Sequence, residues 1–204
     1  MCNVWCYDFV TVSQKWWWPE KPDILEVGSL NVNGSPRDVC GEKYASYVGV
    51  DLTAGPGVDV VCSVEDLLKV PTGQRTYHVV ISTEMLEHVH DWKVALFNLM
   101  SVVAENGVLV LTTRSPGFEY HPYPEDNWRF VAADFAHIFR ADSGDEPFEL
   151  MLSELDPDTR NGISCGIGVV VMRKSGTLTM LRERLAGYEV FNVHEGKRAK
   201  WNQQ

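Results

Sequence analysis

Glu84, Glu87 and His88 stand in the order Glu-x-x-Glu-His. Positions three and four apart share one face of a helix, so a helical reading presents two carboxylates and an imidazole together. Such a set suits a divalent cation, although whether a metal binds is not decided by spacing alone. The alternative is that these residues only shape and support a pocket. A second candidate stretch runs His-Pro-Tyr-Pro-Glu-Asp-Asn-Trp-Arg from His121 to Arg129. Two prolines stiffen it, and its aromatic side chains, Tyr123 and Trp128, can wall off a small acceptor. His121 is its candidate base, because an imidazole takes protons near neutral pH. The plainer reading is a rigid turn in which Asp126 pairs with Arg129 and Trp128 fills the core. Cys2 and Cys6 lack a second pair of matching spacing and are discarded as a metal site.

Short apolar runs separated by turn residues must position these groups. Ile24–Val27, Tyr47–Val50, Val58–Cys62 and His78–Ser82 read as strands, and Gly107–Thr112 as a fifth introduced by the turn dipeptide Asn106-Gly107. Near-continuous apolar runs of this length suit a parallel sheet buried on both faces. Asp91 is set to cap a helix carrying Trp92, Ala95, Leu96, Leu99, Val102 and Val103 at helical spacing. A weaker helix spans about Val131 to Arg140. Phe148–Leu155 and Gly166–Arg173 are joined without a helical pattern, which predicts an antiparallel hairpin at one edge. The expected fold is α/β, a doubly wound and mostly parallel sheet closed by a C-terminal hairpin. Trp16, Trp17 and Trp18 cannot all face one core. Either one covers a ligand mouth or meets a partner, or they pack the N-terminal segment.

Gly28 lets the backbone turn sharply after the first strand, and Asp51 ends the second strand where a ribose-binding acid belongs. Dinucleotides require further glycines for close approach to a pyrophosphate. Here Leu30 and Asn33 occupy those places. S-adenosylmethionine has no pyrophosphate and tolerates larger residues. The loop therefore argues against a dehydrogenase more than against a methyltransferase.

Six segments in order resemble the class I S-adenosylmethionine-dependent methyltransferases. They are Glu26-Val-Gly-Ser-Leu-Asn-Val-Asn-Gly-Ser35, Tyr47-Val-Gly-Val-Asp51, Gly55-Pro-Gly-Val-Asp-Val-Val61, Val80-Ile-Ser-Thr-Glu-Met-Leu-Glu-His-Val89, Asn106-Gly-Val-Leu-Val-Leu111 and the stretch from His121 to Phe130. The resemblance implies a Rossmann-like sheet of seven strands with S-adenosyl-L-methionine as cofactor. It implies that Glu26, Gly28 and Ser29 line the methionine and ribose parts and that Asp51 takes the ribose hydroxyls. Ser63 and Val64 fall on the loop that edges adenine. The family often has an acid at Ser63, which leaves the backbone at Val64 as the contact. Glu84 would face the methionine end, and His121 falls where substrate loops lie.

With 204 residues, 45% of them hydrophobic, the chain is expected to form one methyltransferase domain over 1–204. It divides into an aromatic-rich segment (1–22), a catalytic core (23–175) and a C-terminal extension (176–204). The formal charge of −10 disfavours nucleic acid and anionic membranes, and with the compact substrate region it favours a small-molecule or glycan-type acceptor, for which an O-methyl product is expected. No apolar run reaches the ~20 residues of a membrane span, and the N-terminus lacks the basic start of a secretory signal. Five scattered cysteines suit reduced thiols and a cytoplasmic protein. Glu84-x-x-Glu87-His88 also resembles the metal-dependent small-RNA-end methyltransferases, which keeps a metal-assisted RNA-end reading open. A non-catalytic methyltransferase-fold binding subunit is the remaining alternative.

Overall fold

Branched apolar side chains become strands here wherever both faces of the run can be covered. In the computed structural model, which describes residues 4–122, 124–139, 148–158, 163–174 and 177–194, β1 (Asp23–Val27), β2 (Ser46–Asp51), β3 (Val60–Val61), β4 (Tyr77–Thr83) and β5 (Val103–Arg114) form the parallel part of the sheet. β6 (Trp128–Arg129) stands apart, whereas β7 (Phe148–Asp158) and β8 (Ile163–Arg173) add the antiparallel edge. The order is β3-β2-β1-β4-β5-β8-β7, and β6 pairs with β9 (Phe191–Asn192) in a small second sheet. The expected doubly wound sheet and terminal hairpin are both present.

Several details differ from the sequence reading. The third strand is two residues long because Val58 is spent in a turn, its amide donating to the Gly55 carbonyl. Asn106-Gly107 does not introduce β5, which already begins at Val103. Instead the pair makes a bulge. Two steps along β4, Tyr77 to Val79, match five along β5, Val103 to Val108, and Asn106 sits at φ +60°. Much of the segment 156–165 is strand rather than link, and residues 159–162 lie outside the described ones.

Helices cover both faces. α1 (Val4–Trp17) buries Cys6, Phe9, Val10 and Ser13, a face at helical spacing. α2 (Pro36–Cys40) starts with Pro36 behind a Ser35–Asp38 capping box. Together they cover the face formed by Ile24, Val79, Ile81, Val108 and Val110. Trp17 and Trp18 pack against this same cluster. Their side chains support the core and line no part of the cavity described below.

The opposite face is covered by α3 (Trp92–Ser101), α4 (Ala132–Phe139) and α5 (Thr177–Ala186). Asp91 caps α3 as its position predicts, accepting from the amides of Lys93 and Val94 at 3.0 Å each. α4 falls within the expected range, whose last residue, Arg140, lies outside the described ones. No helix of the described residues is long and apolar enough to cross a membrane.

Candidate functional site

The strand order reverses between β1 and β4, and the crevice at that switch point is where ligands bind in open α/β sheets. A cavity of about 570 Å³ opens there. Gly28 lies on its wall at φ +87°, where a Cβ would meet the Met85 side chain at 3.1 Å. Only glycine satisfies both conditions comfortably. Beside it, Asp51 is held by two backbone donors: Leu30 N reaches Oδ2 at 3.0 Å and Thr53 N reaches Oδ1 at 3.2 Å. Both carboxylate oxygens keep further accepting capacity. Ser63 caps the 3-10 helix Val64–Lys69, its Oγ accepting from Glu65 N at 3.2 Å.

Glu26 is almost fully buried in the cavity floor. Tyr47 Oη donates to its Oε2 at 2.6 Å and Ser35 Oγ at 3.2 Å. Burial outweighs these donors and pushes the carboxyl up to about 7.

The other end of the cavity is assembled from β4, β5 and the loop that follows β5. Glu84 follows β4 at φ +52°, paired with the Arg114 guanidinium and accepting from Thr112 Oγ1 at 3.0 Å. Burial, reinforced by Glu87, pushes its carboxyl up against the pull of Arg114. The chain then makes a short 3-10 turn, Leu86–His88. Glu84, Glu87 and His88 therefore do not share one helical face, contrary to the helical reading. Glu87 turns inward, fully buried, with Oε2 accepting from Thr113 Oγ1 at 2.9 Å.

His121 comes to this turn from the following loop, and Asn127 fastens the loop there. Its Nδ2 donates to the carbonyls of His88 and Val89 at 3.2 and 3.1 Å, and its amide donates to the Glu87 carbonyl at 2.8 Å. Trp128 Nε1 adds a bond of 2.8 Å to Val89 O. Asp126 and Arg129 form a buried two-pronged pair, and Asp126 Oδ2 also accepts from the His121 amide at 2.8 Å. The rigid-turn reading of Asp126, Arg129 and Trp128 is what the structure contains. His121 nevertheless faces the cavity, its ring edge-on to those of His88 and Phe118, with centroids 4.8 Å away in both cases. Burial lowers its imidazole below the usual value. Tyr123 lies outside the described residues.

Glu26, Gly28, Asp51, Ser63, Val64, Glu84 and His121 all line the one cavity. Ser29 does not; its side chain is buried against Gly49, on the far side of the loop. Sequence reasoning missed Arg114 as the partner of Glu84, Met85 against Gly28, and the rim pair His90–Glu125 at 3.4 Å. Only the general rule that a buried carboxylate needs a cation could have pointed to Arg114.

A family model described as a methyltransferase domain matches residues 16–146. No curated protein matches the chain. Among solved structures, an S-adenosylmethionine-dependent methyltransferase from Clostridium acetobutylicum has a TM-score of 0.60 at 10% identity, covering 86% of this chain and 93% of its own. A 1,6-didemethyltoxoflavin-N1-methyltransferase from Burkholderia thailandensis, with 1,6-didemethyltoxoflavin and S-adenosylhomocysteine bound, scores 0.60 at 13% identity, covering 84% and 79%. A TehB-like methyltransferase from Corynebacterium glutamicum scores 0.53 at 16% identity, covering 84% and 89%.

Proposed function

The chain belongs to the methyltransferase-domain family and is an S-adenosylmethionine-dependent enzyme, and from that premise we propose that it methylates an oxygen of a small-molecule or glycan-type acceptor. The observation that carries this reading is a single cavity with Asp51 at one end and His121 at the other. The residues present fit the cofactor. Asp51 has accepting capacity for two ribose hydroxyls, Ser63 and Val64 edge the slot for adenine, and Glu26, Gly28 and Glu84 form the methionine end. Ser29 is withdrawn from this set because its side chain faces away from the cavity.

Bound S-adenosylmethionine supplies a methyl group on a sulfonium, for which alignment of the attacking atom does most of the work. The chain's part is to place the acceptor and take its proton. His121 can accept a hydroxyl proton, since burial favours its neutral form. The imidazolium so formed has Asp126 Oδ2 at 3.3 Å from Nδ1 to offset its charge. Asp126 in turn is held ionised by Arg129, its carboxyl lying below the usual range despite burial.

A cavity of this volume suits a small ligand beside the cofactor. The Burkholderia structure, which holds a small acceptor together with the spent cofactor, supports the same class here. The net charge of −10 supports a non-nucleic-acid acceptor, and five cysteines scattered without a pairing pattern along the sequence support a reducing, cytoplasmic setting. The test is transfer of label from methyl-labelled S-adenosylmethionine into a cell extract. Label in alkali-stable small molecules or glycans supports the reading, whereas label confined to RNA or protein refutes it.

A further inference from the structure

Glu87, His88 and His121 face one another in a way that hydrogen bonding leaves unresolved. His88 Nδ1 contacts the Glu125 carbonyl oxygen. A carbonyl only accepts, so Nδ1 carries the proton and Nε2 presents either a lone pair or a second proton. Nε2 lies 3.9 Å from Glu87 Oε1, an oxygen that is buried and has no hydrogen-bond partner among the described residues. His121 brings a third donor atom, and one such atom from each residue lies within 4.8 Å of the others. A buried carboxylate oxygen left without a donor, as Glu87 Oε1 is, is costly unless something electropositive joins it.

From this arrangement we propose that Glu87, His88 and His121 form a binding site for a divalent first-row cation, Zn²⁺ or Mn²⁺, open to the cavity. Two imidazoles and one carboxylate make a ligand set for these ions rather than for Ca²⁺, which takes oxygen ligands. Tetrahedral bonds of about 2.0–2.2 Å put neighbouring ligand atoms about 3.4 Å apart, so the cluster closes by about an ångström on loading. The supporting bonds are already made: His88 is oriented through Nδ1, and Glu87 Oε2 is fixed by Thr113 Oγ1 at 2.9 Å. Of the neighbouring carboxylates, Glu84 pairs with Arg114 and Asp126 with Arg129, Asp126 Oδ2 also lying 3.3 Å from His121 Nδ1, where it orients that ring from outside the cluster. His88 and His121 both line the cavity, which leaves the cation's remaining position facing it. Three protein ligands and one open position is the arrangement of a catalytic rather than a structural metal site.

The proposal rests on the proposed function only in placing the acceptor at this end. A cation here would receive an acceptor oxygen directly, which makes hydroxyl acceptors the expected class. The full chain, stripped with a chelator, is titrated with Co²⁺ as a spectroscopic probe and with Zn²⁺ and Mn²⁺ by calorimetry. One equivalent should bind and give the visible bands of a low-coordinate Co²⁺ site. Glu87→Gln, which preserves shape and the Thr113 bond, should weaken binding at least about 100-fold. His78→Ala, at an exposed histidine beside Asp23, should leave it unchanged. Absence of binding at millimolar metal, or binding unmoved by Glu87→Gln, overturns the proposal. S-adenosylmethionine titrated into the same chelated protein should bind regardless; loss of that binding would fault the cofactor reading instead.

Discussion

Tyr47 Oη donates a hydrogen bond of 2.6 Å to Glu26 Oε2, joining the second strand to the acid one residue before the end of the first. Burial and the adjacent carboxyl both push the Tyr47 phenol up, which favours its donor form. Ser35 Oγ donates to the same oxygen, which ties the cap of α2 to the cavity floor.

The raised Glu26 carboxyl gives stability a predictable pH dependence. Its value rises from 4.5 to about 7 on folding, so the folded chain binds the extra proton between those limits. The associated stability is complete below pH 4.5 and is lost as pH rises through about 7. Glu26→Gln cannot ionise, yet its carbonyl still accepts from Tyr47 and Ser35. The variant should gain about 1–3 kcal/mol relative to wild type between pH 5 and pH 8. Thermal unfolding at those two pH values reads this directly, and an equal shift at both would contradict it.

Asp51 is expected to govern cofactor affinity. Hydrogen bonds to a charged acceptor contribute about 1.5–3 kcal/mol each. Asp51→Ala should therefore weaken S-adenosylmethionine binding at least about tenfold by calorimetry. Because Asp51 also caps the amides of Leu30 and Thr53, Asp51→Asn serves as the milder companion and should fall between. Unchanged affinity in both variants would remove the ribose assignment.

The Asp126–Arg129 pair should matter chiefly for stability. Arg129→Met leaves a fully buried carboxylate without its cation, a loss of about 3–5 kcal/mol. In a chain of this length that corresponds to a fall in Tm of about 6–20 °C. Adding Asp126→Asn should recover a substantial part of it, because the uncompensated charge is then gone. A double variant as unstable as the single one would mean that packing, not charge, accounts for the loss.

The parallel strands were legible because Ile24–Val27, His78–Ser82 and Gly107–Thr112 are covered on both faces for most of their length and so read as near-continuous apolar runs. α1 carries its signal in Cys6, Phe9, Val10 and Ser13 at helical spacing, but polar Asp8, Thr11 and Gln14 and the run of three tryptophans blur its apolar face. α5 carries the same signal in Thr177, Leu181 and Leu185. At the site, Gly28 and Asp51 were visible since one follows β1 directly and the other ends the neighbouring β2. The arrangement of Glu84, Glu87 and His88 was not, because it depends on a left-handed backbone at Glu84 and on partners far along the chain. Arg114 is 30 residues beyond Glu84, and Asn127 is 39 beyond His88. Local spacing suggested a helix; tertiary hydrogen bonds made a 3-10 turn.

His121 should act as the base of the cation-free enzyme, and its pH profile offers the sharpest check. Burial holds its imidazole below the ordinary value, so the base form persists further into acid than a free histidine would allow. As pH falls through the lowered value, protonation removes the base and kcat should decline, while above neutrality the profile should be flat. A positioned base contributes about 100- to 10,000-fold. In a chelator-treated sample His121→Ala should therefore lower kcat at least about 100-fold, with S-adenosylmethionine affinity held within about twofold. His121→Gln should be equally slow, since it retains bulk and hydrogen bonding but takes no proton at these pH values. An added imidazole buffer small enough to enter the cavity should restore part of the rate to the alanine variant only. Normal turnover by both variants from about pH 6 to 9 would make the histidine a positioning group, and acceptor deprotonation would then belong to another residue of the cavity.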